Sequence, residues 1–201
     1  MKNMISAQSE RAEPFRIEYS HPQGSHLLAN HLYDQLSSVA LIKPIICMCI
    51  GTDRSTGDAL GPLVGSKLTE RMQGPLHVYG TLDDPVHAVN LENTLQTIMS
   101  KYDDPFVLAI DACLGQLSSV GTITIAQGSL KPGAGVKKEL PAVGNIHLTG
   151  IVNVSGFMEY FVLQNTRLSI VMKMAEIISH SLYITGQHIL YANHSKNIQH
   201  M

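Results

Sequence analysis

Two short runs of unbroken hydrophobicity constrain this chain most. Ile45-Ile46-Cys47-Met48-Cys49-Ile50, between Pro44 and Gly51, and Phe106-Val107-Leu108-Ala109-Ile110, between Pro105 and Asp111, carry no charged or hydrogen-bonding side chain. A strand with one wet face alternates apolar and polar residues. A run apolar at every position suits a strand covered on both faces, as in a parallel sheet. Helical spacing of apolar residues fills the intervals: Leu27, Leu28, His31, Leu32 and Leu36; then Leu60, Leu63, Val64 and Leu68, with Pro62 near the helix start; then Val86, Val89, Leu91, Leu95, Ile98 and Met99 behind an Asp83-Asp84-Pro85 cap. Further strands are predicted at Leu76–Leu82, Val120–Ala126 and Ile146–Val154. From Gly156 the chain reads helical, with a break near Asn165-Thr166. Strands alternating with helices make an α/β fold, a three-layer sandwich around a mostly parallel central sheet.

The 201 residues suit one domain, expected over 21–190. Residues 1–20 are polar and read as a flexible segment, although Phe15–Tyr19 has the make-up of a short docking strand; 191–201 reads as a polar tail. A net charge of -2 with scattered Lys and Arg excludes a basic nucleic-acid surface from the expectations. No stretch reaches the roughly 18 apolar residues that span a bilayer, and MKNMISAQSERAEPFR lacks the apolar core of a secretory signal. Three cysteines, Cys47, Cys49 and Cys113, make no disulfide framework, which fits a reducing, cytoplasmic setting.

Ligands of open α/β sheets bind beyond the carboxyl ends of the strands. Three such ends are polar here: Gly51-Thr52-Asp53 followed by Asp58, Asp111-Ala112-Cys113, and Asn145-Ile146-His147. Asp58 reads equally as an N-cap and as a site group. Asp111 follows five apolar residues, where an isolated carboxylate is costly without a partner or a solvent-filled cleft. A cleft shared by the two would keep one protonated while the other ionises, as general acid–base activation of water requires. The same pair with an imidazole is also a metal-ligand set, and His147 is the candidate by position. Neither GxGxxG nor GxxxxGK[ST] occurs, so no nucleotide is expected. Cys113 reads as structural, and His87 as an ordinary surface residue.

G-T-D-R-S-T-G-D-A-L-G-P-L-V-G at 51–65, F-V-L-A-I-D-A at 106–112 and K-P-G-A-G-V at 131–136 together resemble the YyaC-type sporulation proteins of spore-forming firmicutes. More distantly they resemble the germination protease that degrades small acid-soluble spore proteins. The resemblance implies an aspartic-type peptidase site with Asp58, in D-A-L-G-P, and Asp111, in I-D-A, as the catalytic residues. It implies substrate contacts from Gly51, Asp53 and Gly57 and from the loop holding Pro132, Gly133 and Gly135. Hydrogenase maturation peptidases share the wider fold and use two acidic residues and a histidine as metal ligands; the first two again fall on Asp58 and Asp111. No cofactor or metal is assigned, and the expected partner is a protein or peptide substrate. The chain is shorter than the germination protease, so its recognition residues do not carry over. The alternative function is a non-catalytic sporulation protein that binds an acidic partner through the 127–145 loop and Lys131, Lys137 and Lys138.

Overall fold

The computed structural model describes residues 13–71, 74–133 and 140–199. Its elements in chain order are β1 (Phe15–Glu18), α1 (Gly24–Leu36), β2 (Ile45–Cys49), α2 (Leu60–Arg71), β3 (Leu76–Tyr79), α3 (Leu91–Lys101), β4 (Phe106–Gly115), β5 (Thr122–Gln127), β6 (Ile146–Val154), α4 (Glu159–Gln164) and α5 (Leu168–Gln199). The strands form one six-stranded sheet in the order β1-β5-β6-β4-β2-β3. β6, β4, β2 and β3 run parallel, while β5 is antiparallel to both β6 and β1.

Successive side chains of a strand point to opposite faces, so the unbroken apolar run of β2 feeds two cores. Ile45, Cys47 and Cys49 pack with Leu28 and Leu32 of α1, Leu60 and Leu68 of α2, and Met174 and Ile178 of α5. Ile46 and Met48 pack on the other face with Leu91 and Ile98 of α3. Helices on both faces of a mostly parallel sheet are the α/β sandwich expected. The outer strands keep the alternation of half-covered ones: Ile123 and Ile125 of β5, and Ile146, Leu148 and Val152 of β6, face the α1–α5 side.

β2 leads through α2 to β3 on one side, and β3 returns through α3 to β4 on the other side of β2. The connections leave β2 and β4 in opposite directions, which opens a crevice at their carboxyl ends.

Several boundaries differ from those the sequence suggests. β4 does not stop at Ile110: it pairs with β6 from Leu108↔Ile146 through Asp111↔Thr149 to Gly115↔Val154, whereas its pairing with β2 ends at Cys49↔Ile110. Asp111 therefore lies within a strand, one residue past the end of its neighbour. β3 ends at Tyr79 rather than Leu82. The helix expected from Val86 starts at Leu91, because Val86 bridges to Ile50 in parallel and Asn90 closes the turn, its Nδ2 donating to Pro85 O at 2.9 Å and its Oδ1 accepting from His87 N at 2.8 Å. Val89, read as a core position, is 85% exposed. The short docking strand read at Phe15–Tyr19 is present as β1, Phe15–Glu18, on the sheet edge. The polar tail continues α5 as helix to Gln199.

Candidate active site

The loop after β2 leaves the sheet and returns to it within eight residues. Gly51, at φ 141°, makes this possible: a Cβ there would lie 1.9 Å from the carbonyl oxygen of Asp58. Gly51 N–H donates to Val86 O at 2.8 Å, Thr52 N–H to Asp58 O at 3.2 Å and Ala59 N–H to Ser55 O at 3.0 Å. Asp58 thus comes back beside the strand end from which the loop departed. Pro62, in the first turn of α2, lacks an N–H where none is needed.

Asp111 reaches the same place from β4. It is 6% exposed, and its Oδ1 accepts from Ala112 N–H at 2.8 Å. Burial, and then the charge of Asp58, push its carboxyl well above the ordinary aspartate range, against the pull of the Ala112 N–H. Burial also raises Asp58, but the Thr52 N–H and His87 work against the rise. The two carboxyl groups therefore hold protons unequally, with Asp111 the tighter.

Both line a cavity of about 320 Å³, together with Gly51, Asp53, Pro132 and Gly133 of the expected substrate contacts. Asp111 is buried, Asp58 half-buried, and Asp53 and Arg54 are exposed. Gly57 is not part of the lining. It sits under α4, donating its N–H to Leu163 O at 2.8 Å, and a Cβ would press on Thr166 Oγ1 at 2.8 Å, so its part is in packing. Gly135, Lys137 and Lys138 lie outside the described residues.

His147 is not in the cavity. It pairs with Ala109 two residues before the Asp111 level, and its Nδ1 is 2.8 Å from Gly128 O. Among the described residues no three His, Cys, Asp or Glu side chains are grouped to hold a metal ion. His147, the candidate by position, therefore does not complete the two-carboxylate, one-histidine set that the hydrogenase maturation resemblance implies.

The histidine that does line the cavity is His87, which reads in the sequence as an ordinary surface residue. Its Nδ1 accepts from Val89 N–H at 3.2 Å, so the neutral ring carries its proton on Nε2. The only cue was a polar residue one step after Val86, and the helical pattern drawn through Val86 and Val89 hid it. Tyr160, Leu163 and Leu140 complete an apolar wall. Ser55 Oγ, also at the cavity, is buried without a hydrogen-bond partner among the described residues.

Cys113 is close by and inert. Burial pushes its thiol up to about 11, with a hydrogen bond to Thr149 opposing and Asp111 adding to the rise. A larger hollow of about 800 Å³ opens where the strands begin, around Pro105, Val107 and Asn145. Asp103 and Asp104 line it next to each other in sequence, and Asp104 is paired with Lys43.

A family model described as protein of unknown function (DUF1256) matches residues 16–181. The uncharacterized protein YyaC of Bacillus subtilis (strain 168) is 61% identical over 145 residues, covering 72% of this chain and 71% of that protein. The crystal structure of a NiFe hydrogenase maturation protease HycI from Thermococcus kodakarensis KOD1 aligns with 75% of this chain and 98% of its own at a TM-score of 0.49 and 19% identity, a likeness that fixes no activity. No described helix is long and apolar enough to cross a membrane. With a match that spans Arg16 to Ser181 and a relative of this identity, the chain belongs to the DUF1256 family, together with YyaC.

Proposed function

We propose that the cavity hydrolyses peptide bonds in a protein substrate, in the cytoplasm of a cell undergoing sporulation or spore germination. The observation that carries the reading is the pair of carboxyl groups in one cavity, with proton affinities pushed apart by unequal burial and by the charge of Asp58 on Asp111. In this mechanism the pair shares one proton, held on Asp111, the more deeply buried carboxyl. Asp58, ionised, takes a proton from water as the water oxygen attacks the scissile carbonyl carbon. The Asp111 proton passes to the amide nitrogen, and the C–N bond breaks to release an acid and an amine. Asp58 then carries the proton and Asp111 the charge; transfer between them restores the starting state. His87, with its Nε2–H, assists by favouring the ionised form of Asp58. The sporulation setting rests on the resemblance of the 51–65 and 106–112 segments to YyaC-type proteins. No step is routed through a metal.

Incubation with acid-soluble spore extract, followed by mass spectrometry of the fragments, tests the reading. Asp58→Asn and Asp111→Asn should each lower the cleavage rate by about 10²–10⁴-fold. Undiminished cleavage by both folded variants refutes the mechanism. An absence of cleavage by every version favours the second reading, a partner-binding protein; exposed Lys131, beside Pro132 and Gly133 of the cavity wall, supports it.

A further inference from the structure

One wall of the cavity continues onto an exposed aromatic face. Tyr160 lines the cavity and is still 54% exposed. Its neighbour Phe161 is 52% exposed, the two rings meeting edge to face at 5.7 Å, and Phe157, three residues before Tyr160, is 90% exposed. Water contact at this level is unfavourable for large rings, and contiguous exposed apolar surface marks an interaction site.

The base of this face is held firmly. Leu163 O accepts from Gly57 N–H at 2.8 Å, next to Asp58 itself. Asn153 Nδ2 reaches Val162 O at 3.3 Å and Thr166 Oγ1 at 3.2 Å. Met158, just before α4, takes a left-handed φ of 60°, which a side chain adopts only when its surroundings impose it. The backbone that carries the aromatic residues is thus tied to the segment holding Asp58 before anything binds, which lowers the ordering cost of docking.

The cavity, about 320 Å³, is at the small end of ligand pockets. A polypeptide whose amide lies at Asp58 and Asp111 must leave it within a few residues, at about 3.3 Å per extended residue. On the α4 side its exit passes Tyr160 and then Phe157 or Phe161. We propose that this aromatic face docks the flanking segment of the substrate, and that the substrate is an extended polypeptide bearing an aromatic or large aliphatic residue within a few positions of the bond held at the two aspartates. This rests on the reading of the cavity as the place where a polypeptide is held. Asp53 and Asp58 against Arg54 in the cavity lining, with Glu159 on α4, leave an excess of carboxylates that disfavours an anionic lipid surface.

The test measures binding of a fluorescein-labelled, reduced and carboxymethylated α-lactalbumin, a permanently unfolded chain, by anisotropy. A Gly/Ser/Asn polypeptide of equal length serves as the polar comparison. The Asp58→Asn chain is used so that the probe is not consumed. Adding Phe157→Ser and Phe161→Ser should weaken binding at least about tenfold. Met99→Ser, an equally exposed apolar site on α3, should leave it unchanged, and the polar chain should bind poorly. Unchanged affinity in the double variant, or equal binding of the polar chain, overturns the proposal. So does a face whose loss dissolves self-association in sedimentation, or abolishes binding to phosphatidylcholine vesicles, while probe binding stays. If no version cleaves spore proteins yet the double variant loses the probe, docking stands and the peptidase reading falls. If the native chain cleaves and the double variant binds the probe and cleaves as well as native, the reverse holds.

Discussion

Asp111 occupies a position that works against the stability of the chain that carries it. Its carboxyl is raised above the ordinary value of 3.8, first by burial and then by Asp58. A folded state that holds this proton more tightly than the unfolded chain gains stability that is complete below 3.8 and lost as pH rises through the folded value. At neutral pH the native protein therefore bears a cost that Asp111→Asn removes, and an asparagine Oδ1 can still accept from Ala112 N–H. The variant should melt at nearly the native temperature around pH 4 and several degrees above it at pH 7, given roughly 2–4 °C per kcal/mol at this size. Scanning calorimetry across that range checks it; parallel curves for the two proteins would show that the carboxylate is not strained. At this scale the sequence is a good guide where polarity interrupts a hydrophobic run, which is why Asp111 stood out. It is a poor guide to His87, whose place depends on a bridge between Val86 and Ile50 that no local pattern announces.

The elements that carry the site are positioned by small residues more than by charge. Gly61 brings the first turn of α2 onto the end of β2, where an added Cβ would lie 2.1 Å from Ile50 O. Gly65 brings the next turn onto the end of β3, where an added Cβ would lie 1.8 Å from Gly80 O. Backbone cannot yield to a methyl group at such distances without moving the helix. The ion pairs of Lys67 and Arg71 with Glu176, at 2.7 and 2.9 Å, join α2 to α5 but are partly exposed and contribute about 0–1 kcal/mol each. Gly61→Ala should therefore cost about 1–3 kcal/mol or more, and Glu176→Gln much less. Because Asp58 precedes α2 by two residues, Gly61→Ala should also depress cleavage more than its stability loss explains. Urea titration with cleavage assays at a temperature where the variant is folded separates the two, and native-like values in both would contradict the close-approach account. The sequence revealed β2 and the core of β4 because double-sided burial leaves no polar residue. It did not reveal how far β4 extends, since that is set by β6, nor that β5 runs antiparallel, since an apolar–polar alternation carries no direction.

Across the whole molecule the sheet divides into a half that holds the cavity and a half that closes an edge. The cavity gathers at the ends of β2 and β4, while β1, β5 and β6 extend the sheet away from it. β1 is only four residues long, yet it pairs with all of Thr122 to Ile125 and so covers a β-branched strand whose outer edge would otherwise be free to pair with another chain. Ile17 is buried in the main core, and Phe15 stacks on His31 of α1 with ring centroids 4.6 Å apart. Ile17→Asp places a charge in that core and loosens the edge strand without touching the cavity. The expected result is a loss of about 2–4 kcal/mol, read as a melting temperature lower by roughly 5–15 °C, with self-association visible by light scattering at high concentration. Below the new melting point the hydrolytic rate per folded molecule should stay native, because Asp58 and Asp111 are held by β2, α2 and β4. A variant as stable and monodisperse as the native protein would mean that β1 is dispensable. A folded variant that has lost cleavage would mean that the edge and the site are coupled through β6, the strand that pairs with both β5 and the Asp111 segment of β4.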